Sequence, residues 1–240
     1  MNIKKHIPNI ITLLNLFCGC IAVIFVSIND FQMAFAFVAL GIFLDFFDGF
    51  FARLFKVASP LGLQLDSLAD MVTSGVVPGY VMFKMFQGFE FYPNVISVYA
   101  TFGFIITLGA CYRLANFNID TRQTNSFIGL PTPANALFIL SLPLISQYYH
   151  DDNLAIIIYN KWVLAAITLI SAYIMNAEVP LFSLKIKSFN IKDNLLQIVF
   201  LIIAVALIGF FQFLGVAIVI LFYVVLSIIM NVFNKNKIIK

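Results

Sequence analysis

Apolar residues fill long windows of this chain, broken by polar positions at intervals of about 20 residues, the length of a helix that crosses a hydrocarbon core of about 30 Å. With that window, eight segments read as membrane-spanning helices: residues 10–28, 31–55, 60–83, 95–114, 133–149, 162–175, 195–210 and 213–233. The sixth is short for a span and fits a tilted or partly interfacial helix. The breaks carry turn chemistry. Ser59-Pro60 is an N-cap followed by proline at the first helical position, Pro131 and Pro133 flank the start of the fifth span, and Gly209 to Gly215 marks a reversal between the last two. No internal repeat is evident. The expected fold is all-α: a polytopic integral membrane helix bundle of about eight transmembrane helices.

Composition agrees with that pattern. Of 240 residues, 62% are hydrophobic and 10% are charged, against roughly one quarter charged in soluble domains. The 28 phenylalanines beside one tryptophan read as lipid-facing packing. Cys18, Cys20 and Cys111 lie in apolar segments without metal-ligand spacing, which predicts buried, inert thiols. His6 and His150 fall in separate polar loops. No nucleic-acid partner is expected, and the long first apolar segment, lacking a small-residue cleavage site, does not read as a cleavable signal peptide.

Four carboxylates sit inside two of these apolar segments. Asp45 and Asp48 are three residues apart and Asp66 and Asp70 four apart, so each pair projects from one helix face. If the connection at Ser59-Pro60 reverses tightly, the pairs meet at similar depth. Each Asp at a helix centre costs about 2.5 to 3.5 kcal/mol on insertion scales, so a cation belongs among them. A cage of hard oxygens suits Mg²⁺, Mn²⁺ or Ca²⁺, and the absence of His or Cys at matching spacing argues against zinc. Gly49 and Gly62 have no side chain and Ala52 a small one, leaving room for a flat ligand or another backbone. Arg53 stands just outside, placed to meet a phosphate. On the first span Asn9, Thr12 and Asn15 recur at three-residue spacing as one polar stripe, either making helix-packing hydrogen bonds or lining a pocket. Taken alone, the carboxylates equally suit a cation-coupled transporter or a helix-packing network.

The residues fill a longer pattern: D-x-x-D-G-x-x-A-R from Asp45 to Arg53, eight residues, then G-x-x-x-D-x-x-x-D from Gly62 to Asp70. This resembles the signature of the CDP-alcohol phosphatidyltransferase family, and P-N-x-x-T-x-x-N from Pro8 to Asn15 is similar to the opening of its members. The resemblance implies transfer of a phosphatidyl group from CDP-diacylglycerol to an alcohol, with CMP leaving. It implies that Asp45, Asp48, Asp66 and Asp70 hold divalent metal, Mg or Mn with Ca as a variant, as two ions, and that Asp70 is also the general base. It places Asn9, Thr12, Gly49, Ala52, Arg53 and Gly62 around the nucleotide donor, and it implies a homodimer. Two metal ions about 3.5–4 Å apart suit displacement at a phosphorus that carries anionic oxygens.

A second resemblance concerns the acceptor. Arg113-Leu114-Ala115-Asn116-Phe117-Asn118, then F-x-G-L-P-x-P-A from Phe127 to Ala134, is similar to the branch of the family whose acceptor is serine. Asn116 departs from it, that position being often basic. A zwitterion needs a cation for its carboxylate and acceptors for its ammonium, and Arg53, Lys56, Arg113 and Arg122 with Asn116, Asn118 and Asp120 supply such a mixture. Arg113 and Asn118 are the implied acceptor-binding residues and L-serine the implied acceptor. Sister transferases using glycerol 3-phosphate, inositol phosphate or another alcohol remain the alternative.

With eight spans, all of the 14 lysines and arginines except Lys84 and Lys161 fall on one side, which the positive-inside rule makes cytoplasmic. The expected protein thus lies in the inner or plasma membrane, with active site and both termini in the cytoplasm. Residues 1–176 form the expected catalytic core with about six spans. Residues 177–240 form a basic cytoplasmic loop, resting on anionic membrane lipids, and a C-terminal transmembrane hairpin.

Overall fold

The computed structural model of the chain describes residues 6–88, 97–120, 127–149, 152–181 and 194–238. Lys4, Lys5, Arg122, His150, Asp151, Lys240 and the basic loop with Lys185, Lys187 and Lys192, which carry much of the sidedness expectation, lie outside the described residues.

Helices α1 (Ile7–Ser27) and α2 (Phe31–Leu54) form a hairpin turned at Asn29, whose φ is 62°. Asp30 caps α2 by accepting from the Met33 N–H at 3.0 Å, satisfying one of the donors that every helix start leaves open. At the other end the backbone closes a left-handed cap. Lys56 has φ 56°, the Val57 N–H donates to the Ala52 carbonyl at 3.0 Å, and the Lys56 N–H donates to Arg53 at 3.1 Å; these are the paired bonds that stop a helix and reverse the chain. Ser59 then caps α3 (Pro60–Asp70), its Oγ accepting from the Gly62 N–H at 3.1 Å. The reversal is as tight as Ser59-Pro60 predicts, and it carries the two aspartate pairs back toward each other.

Beyond Asp70 the chain departs from the uninterrupted helix expected to residue 83. Met71–Val76 is π-helical before α4 (Val77–Gln87) resumes. A π turn holds one more residue than an α turn and re-aims carbonyls away from the axis; here the Gly75 carbonyl is met by the Thr107 hydroxyl at 3.0 Å. Helix α4 is the centre of the bundle: Val77, Val81 and Met82 are wholly buried and its apolar residues face inward on nearly every side, as befits a helix without a polar face.

A 3₁₀ turn, Ala100–Phe104, leads into α5 (Ile105–Ile119), which runs five residues past the expected end of the fourth span. Then follow α6 (Thr132–Tyr149), with Pro143 inside it, a short unforeseen α7 (Asp152–Ile158), and α8 (Lys161–Asn176). Helix α9 (Leu195–Ile238) is broken at Gln212 (φ 41°, ψ −118°). Its two arms fold back on each other, since Phe200 lies 5.9 Å from Phe222 and 5.7 Å from Tyr223 between ring centres.

Two features of the packing were hidden in the sequence. A two-residue antiparallel pairing joins β1 (Phe127–Ile128) to β2 (Pro180–Leu181), and Gly129 next to it has φ 74°, with space for a Cβ only 2.4 Å from the Met175 carbonyl oxygen. Gly129→Ala is therefore expected to lower stability by at least about 1 kcal/mol, since it adds both left-handed strain and a backbone clash; a thermal melt in detergent, followed by loss of the monodisperse peak, measures it. At Gly41 a Cβ would lie 2.7 Å from Asn15 Oδ1 and 2.9 Å from Thr73 Cγ2, so the small residue lets α1, α2 and the π segment converge, as small residues do between membrane helices.

Among the described residues the fold is all-α apart from that short pairing. Three helices are long and apolar enough to cross a membrane: α1, α2 and Leu195–Asn231 within α9. Large apolar side chains point outward, Phe43 at 59%, Phe46 at 64% and Phe210 at 84% exposure, far more than a water-facing surface tolerates. Cys18 is buried, but Cys20 and Cys111 are exposed. This corrects the expectation of three buried thiols: in a membrane helix the outward face is itself apolar, so an apolar segment does not imply burial within the protein.

Candidate active site

The four aspartates gather where α2 and α3 approach α1. Carboxylate oxygens of Asp45, Asp48 and Asp66 lie within 4.8 Å of one another. Asp70 stands beside that trio, linked to it through one amide: Asn15 Nδ2 donates to Asp70 Oδ1 at 3.2 Å and to Asp45 Oδ1 at 3.4 Å. One helical turn earlier on α1, the Thr12 hydroxyl donates to Asp48 Oδ2 at 2.5 Å. Asp48 and Asp70 are buried, at 6% and 8% exposure.

Two cavities open on either side of this group. The first, about 230 Å³, is lined by Asn9, Thr12, Gly49, Ala52 and Gly62 together with Asp48 and Asp66. The second, about 220 Å³, is lined by Asp45, Asp66 and Asp70 with Ser67, Arg113, Phe117 and the Pro131-Thr132-Pro133 turn. Asp66 borders both. Between them the carboxylates divide by cavity, Asp48 facing the glycines and Asp45 and Asp70 facing Arg113.

The polar stripe of α1 thus divides in function. Asn9 and Thr12 line the first cavity, while Asn15 is fully buried and orients carboxylates. The Thr73 hydroxyl, on the π segment, donates to the Asn15 carbonyl at 3.2 Å, so the helix that carries Asp70 also fixes the residue that holds it. Arg53 is exposed and does not line either cavity; its guanidinium lies 3.8 Å from where a Cβ on Gly49 would stand. Lys56 is likewise outside both. Asn118 does not line the second cavity either: it exchanges hydrogen bonds with Ser67, at 2.9 and 3.1 Å, and Ser67 does line it. Ser67 and Thr132 are the site neighbours that the sequence did not single out, and Phe117 stood there only as a motif position without a role.

Whether these residues suit a divalent cation is decided by their chemistry. The donors are all carboxylate oxygens, no His or Cys stands among them, and among the described residues no Lys, Arg or His pairs with any of the four. Clustered buried carboxylates without a counter-charge are expensive, and hard divalent ions are what such oxygens bind. The residues fit. Asn15 Oδ1, Ser74 Oγ and both polar atoms of Asn135 are buried with no protein partner among the described residues, groups of the kind that ordered water satisfies.

Comparison with known proteins bears on the same residues. The CDP-diacylglycerol–serine O-phosphatidyltransferase of Helicobacter pylori (strain ATCC 700392 / 26695) is 33% identical over 198 residues, covering 81% of this chain and 79% of that protein. Proteins of the same name from Bacillus subtilis (strain 168) and Methanocaldococcus jannaschii are 33% and 34% identical over 159 and 153 residues, each spanning 63% of this chain and 81% and 68% of theirs. The family model described as CDP-alcohol phosphatidyltransferase matches residues 5–179. That stretch contains all four aspartates and every residue lining both cavities, and it leaves no place for the transporter alternative: the chain belongs to the CDP-alcohol phosphatidyltransferase family.

Proposed function

We propose that this membrane protein transfers a phosphatidyl group from CDP-diacylglycerol to L-serine, giving phosphatidylserine and CMP. One observation carries the chemistry: two cavities of different character share Asp66, one walled by glycines and Asp48, the other holding Asp70 and a buried arginine. The names of the relatives support serine as acceptor. The second cavity, about 220 Å³, has room for a small polar acceptor, and its buried arginine, not its size, sets it apart from the first.

In this reading the first cavity takes the nucleotide head of the donor. Gly49, Ala52 and Gly62 leave the backbone accessible, and Asn9 and Thr12 offer polar contacts. A cavity of about 230 Å³ cannot enclose a whole CDP-diacylglycerol, so the acyl chains stay outside it in the lipid. Asp45, Asp48 and Asp66, with Asp70 beside them, would hold two Mg²⁺ or Mn²⁺ ions, which when bound neutralise the charge of the phosphate oxygens. Arg113 binds the carboxylate of serine. Asp70 accepts the proton of the serine hydroxyl as its oxygen bonds to phosphorus and the bond to CMP breaks. Thr12 and Asn15 hold the carboxylates in place, a positioning role. Ser67, braced by Asn118, lines the acceptor side.

The experiment is direct: purified protein, labelled CDP-diacylglycerol and a panel of alcohols. Serine should be consumed in preference to glycerol 3-phosphate and inositol phosphate; faster use of glycerol 3-phosphate would place the chain on a sister branch. Arg113→Ala should raise the KM for serine about tenfold or more while leaving donor binding nearly intact, because it removes a carboxylate partner and not a metal ligand.

The same reading includes eight spans with cytoplasmic termini and active site, a catalytic core of residues 1–176 followed by a basic loop and hairpin, and a homodimer. The ends of the bundle support the alternation: Lys84 donates to the Ser27 carbonyl at 2.9 Å, putting it beside the Asp30 turn, whereas Lys56 sits at the end with Ser59. Cysteines introduced near Lys56 and Arg122 should label from the cytoplasmic face, and ones near Asp30 and Asp151 only from the other. A reversed pattern refutes the orientation and a mixed one the span count.

A further inference from the structure

A third cavity, about 340 Å³, lies on the far side of Arg113 from the carboxylates, between the end of α5 and the end of α8. Its walls include Arg113, Asn116, Asp120, Asn176 and Glu178. Arg113 is thus the partition between this cavity and the acceptor site, since it borders both.

We propose that this outer cavity is an antechamber that captures a free amino acid by its two charges and passes it to the acceptor site across the Arg113 guanidinium. The proposal rests on the reading that the acceptor is serine. Arg113 is only 6% exposed. Its Nε reaches the Leu130 carbonyl at a long 3.5 Å and its guanidinium stands 5.7 Å from the Phe117 ring, while among the described residues its terminal nitrogens have no hydrogen-bond partner. A buried guanidinium with open donors is stabilised by an anion that comes to it.

The walls say which anion. Asn176 Nδ2 is committed to the Gly109 and Ala172 carbonyls, both at 2.9 Å, which leaves Asn176 Oδ1 as a buried acceptor without a partner among the described residues. The Asn116 side chain lines the cavity as a neutral amide, and Asp120 and Glu178 add two carboxylates. Arg113, Asn116 and Asp120 recur at three- and four-residue spacing, so one face of α5 presents this mixture. A zwitterion finds a cation for its carboxylate and oxygens for its ammonium. A phosphorylated alcohol, doubly negative and without a cation of its own, brings nothing to meet the Asn176 oxygen. The antechamber therefore selects acceptors before chemistry begins, and a single guanidinium serves both sites, so the carboxylate need never be fully released on its way inward.

The test uses the full chain in lipid nanodiscs. In a background with Cys18, Cys20 and Cys111 replaced, Asn116→Cys is modified by a small thiol reagent with L-serine or glycerol 3-phosphate present. Serine should slow modification and glycerol 3-phosphate should not, and adding Asp70→Asn should leave the protection unchanged, because the antechamber does not use that carboxylate. Separately, Glu178→Lys should raise the KM for serine about tenfold, with kcat and the donor KM within about twofold. Absence of protection at serine concentrations that saturate turnover, equal protection by glycerol 3-phosphate, or an unchanged KM in Glu178→Lys would overturn the proposal. Protection needs no turnover, so a wrong acceptor assignment shows independently in the alcohol panel: serine protection without serine turnover sinks the acceptor and keeps the antechamber.

Discussion

Asp66→Asn is expected to abolish phosphatidyl transfer, with a loss greater than that of any other single replacement in the site. Asp66 alone borders both cavities, and its carboxylate lies within 4.8 Å of those of Asp45 and Asp48. An amide keeps the shape but is a poorer ligand for a hard cation and removes a negative charge from the cluster. Both the donor phosphate and the acceptor oxygen would lose their shared anchor, so the fall should exceed the roughly 10²–10⁴-fold that a single general base contributes. Release of labelled CMP measures it, and divalent-ion binding, followed calorimetrically on the same protein, should weaken in parallel. Asp48→Asn should behave similarly, because its carboxylate belongs to the same trio of oxygens and an amide is again the poorer ligand. Full activity of wild-type protein in excess EDTA would sink the metal assignment.

Asp70→Asn should lose chemistry while keeping the donor. Asp70 lines the cavity that holds Arg113 and not the one walled by Gly49 and Gly62, so a base at this position acts on the acceptor's proton. Such an interaction counts mainly in the transition state, which predicts a fall in kcat of about 10²–10⁴ with CDP-diacylglycerol affinity close to wild type. Asn15 would still find an acceptor in the new amide oxygen, which limits the structural damage. Donor binding lost to the same degree as in Asp66→Asn would instead make Asp70 chiefly a ligand.

How far the sequence carried depended on whether the cause was local. The Ser59 cap, the reversal after Asp48 and the convergence of the aspartates all follow from side chains a few residues apart, and the structure has them. The acceptor side was read less well, for an arithmetic reason. With the fourth span ended near Leu114, no helical angle was fixed between Arg113 and Asn118, but α5 continues to Ile119. At 3.6 residues per turn, five residues put Asn118 about 140° around the helix from Arg113, whereas Phe117 falls within about 40° of it. Phe117 accordingly shares the cavity and Asn118 does not. Non-local features had no signal at all. Nothing in Phe127-Ile128 announces pairing with Pro180-Leu181 fifty residues later, and the conformation that Gly129 supplies is legible only once Met175 is known to lie against it. The π turn was equally silent, since nothing in Met71-Val72-Thr73-Ser74-Gly75-Val76 sets one helical period against the other.

That π turn has a consequence for how the gene can vary. Along Met71–Val76 the chain carries one residue more than an α-helix would need between Asp70 and α4. Removing one residue would let the stretch close to α-helix with α4 keeping nearly the same face, because the wide turn already absorbs the surplus. What would be lost lies inside the turn: the Thr73 hydroxyl on the Asn15 carbonyl and the Gly75 carbonyl that meets Thr107. Side chains of similar size can exchange at Met71 or Val72, which are only partly buried. A deletion does not spare the turn: six residues separate Asp70 from the helix at the middle of the bundle, and losing one should cost the support of Asn15 beside Asp70 while leaving that helix seated.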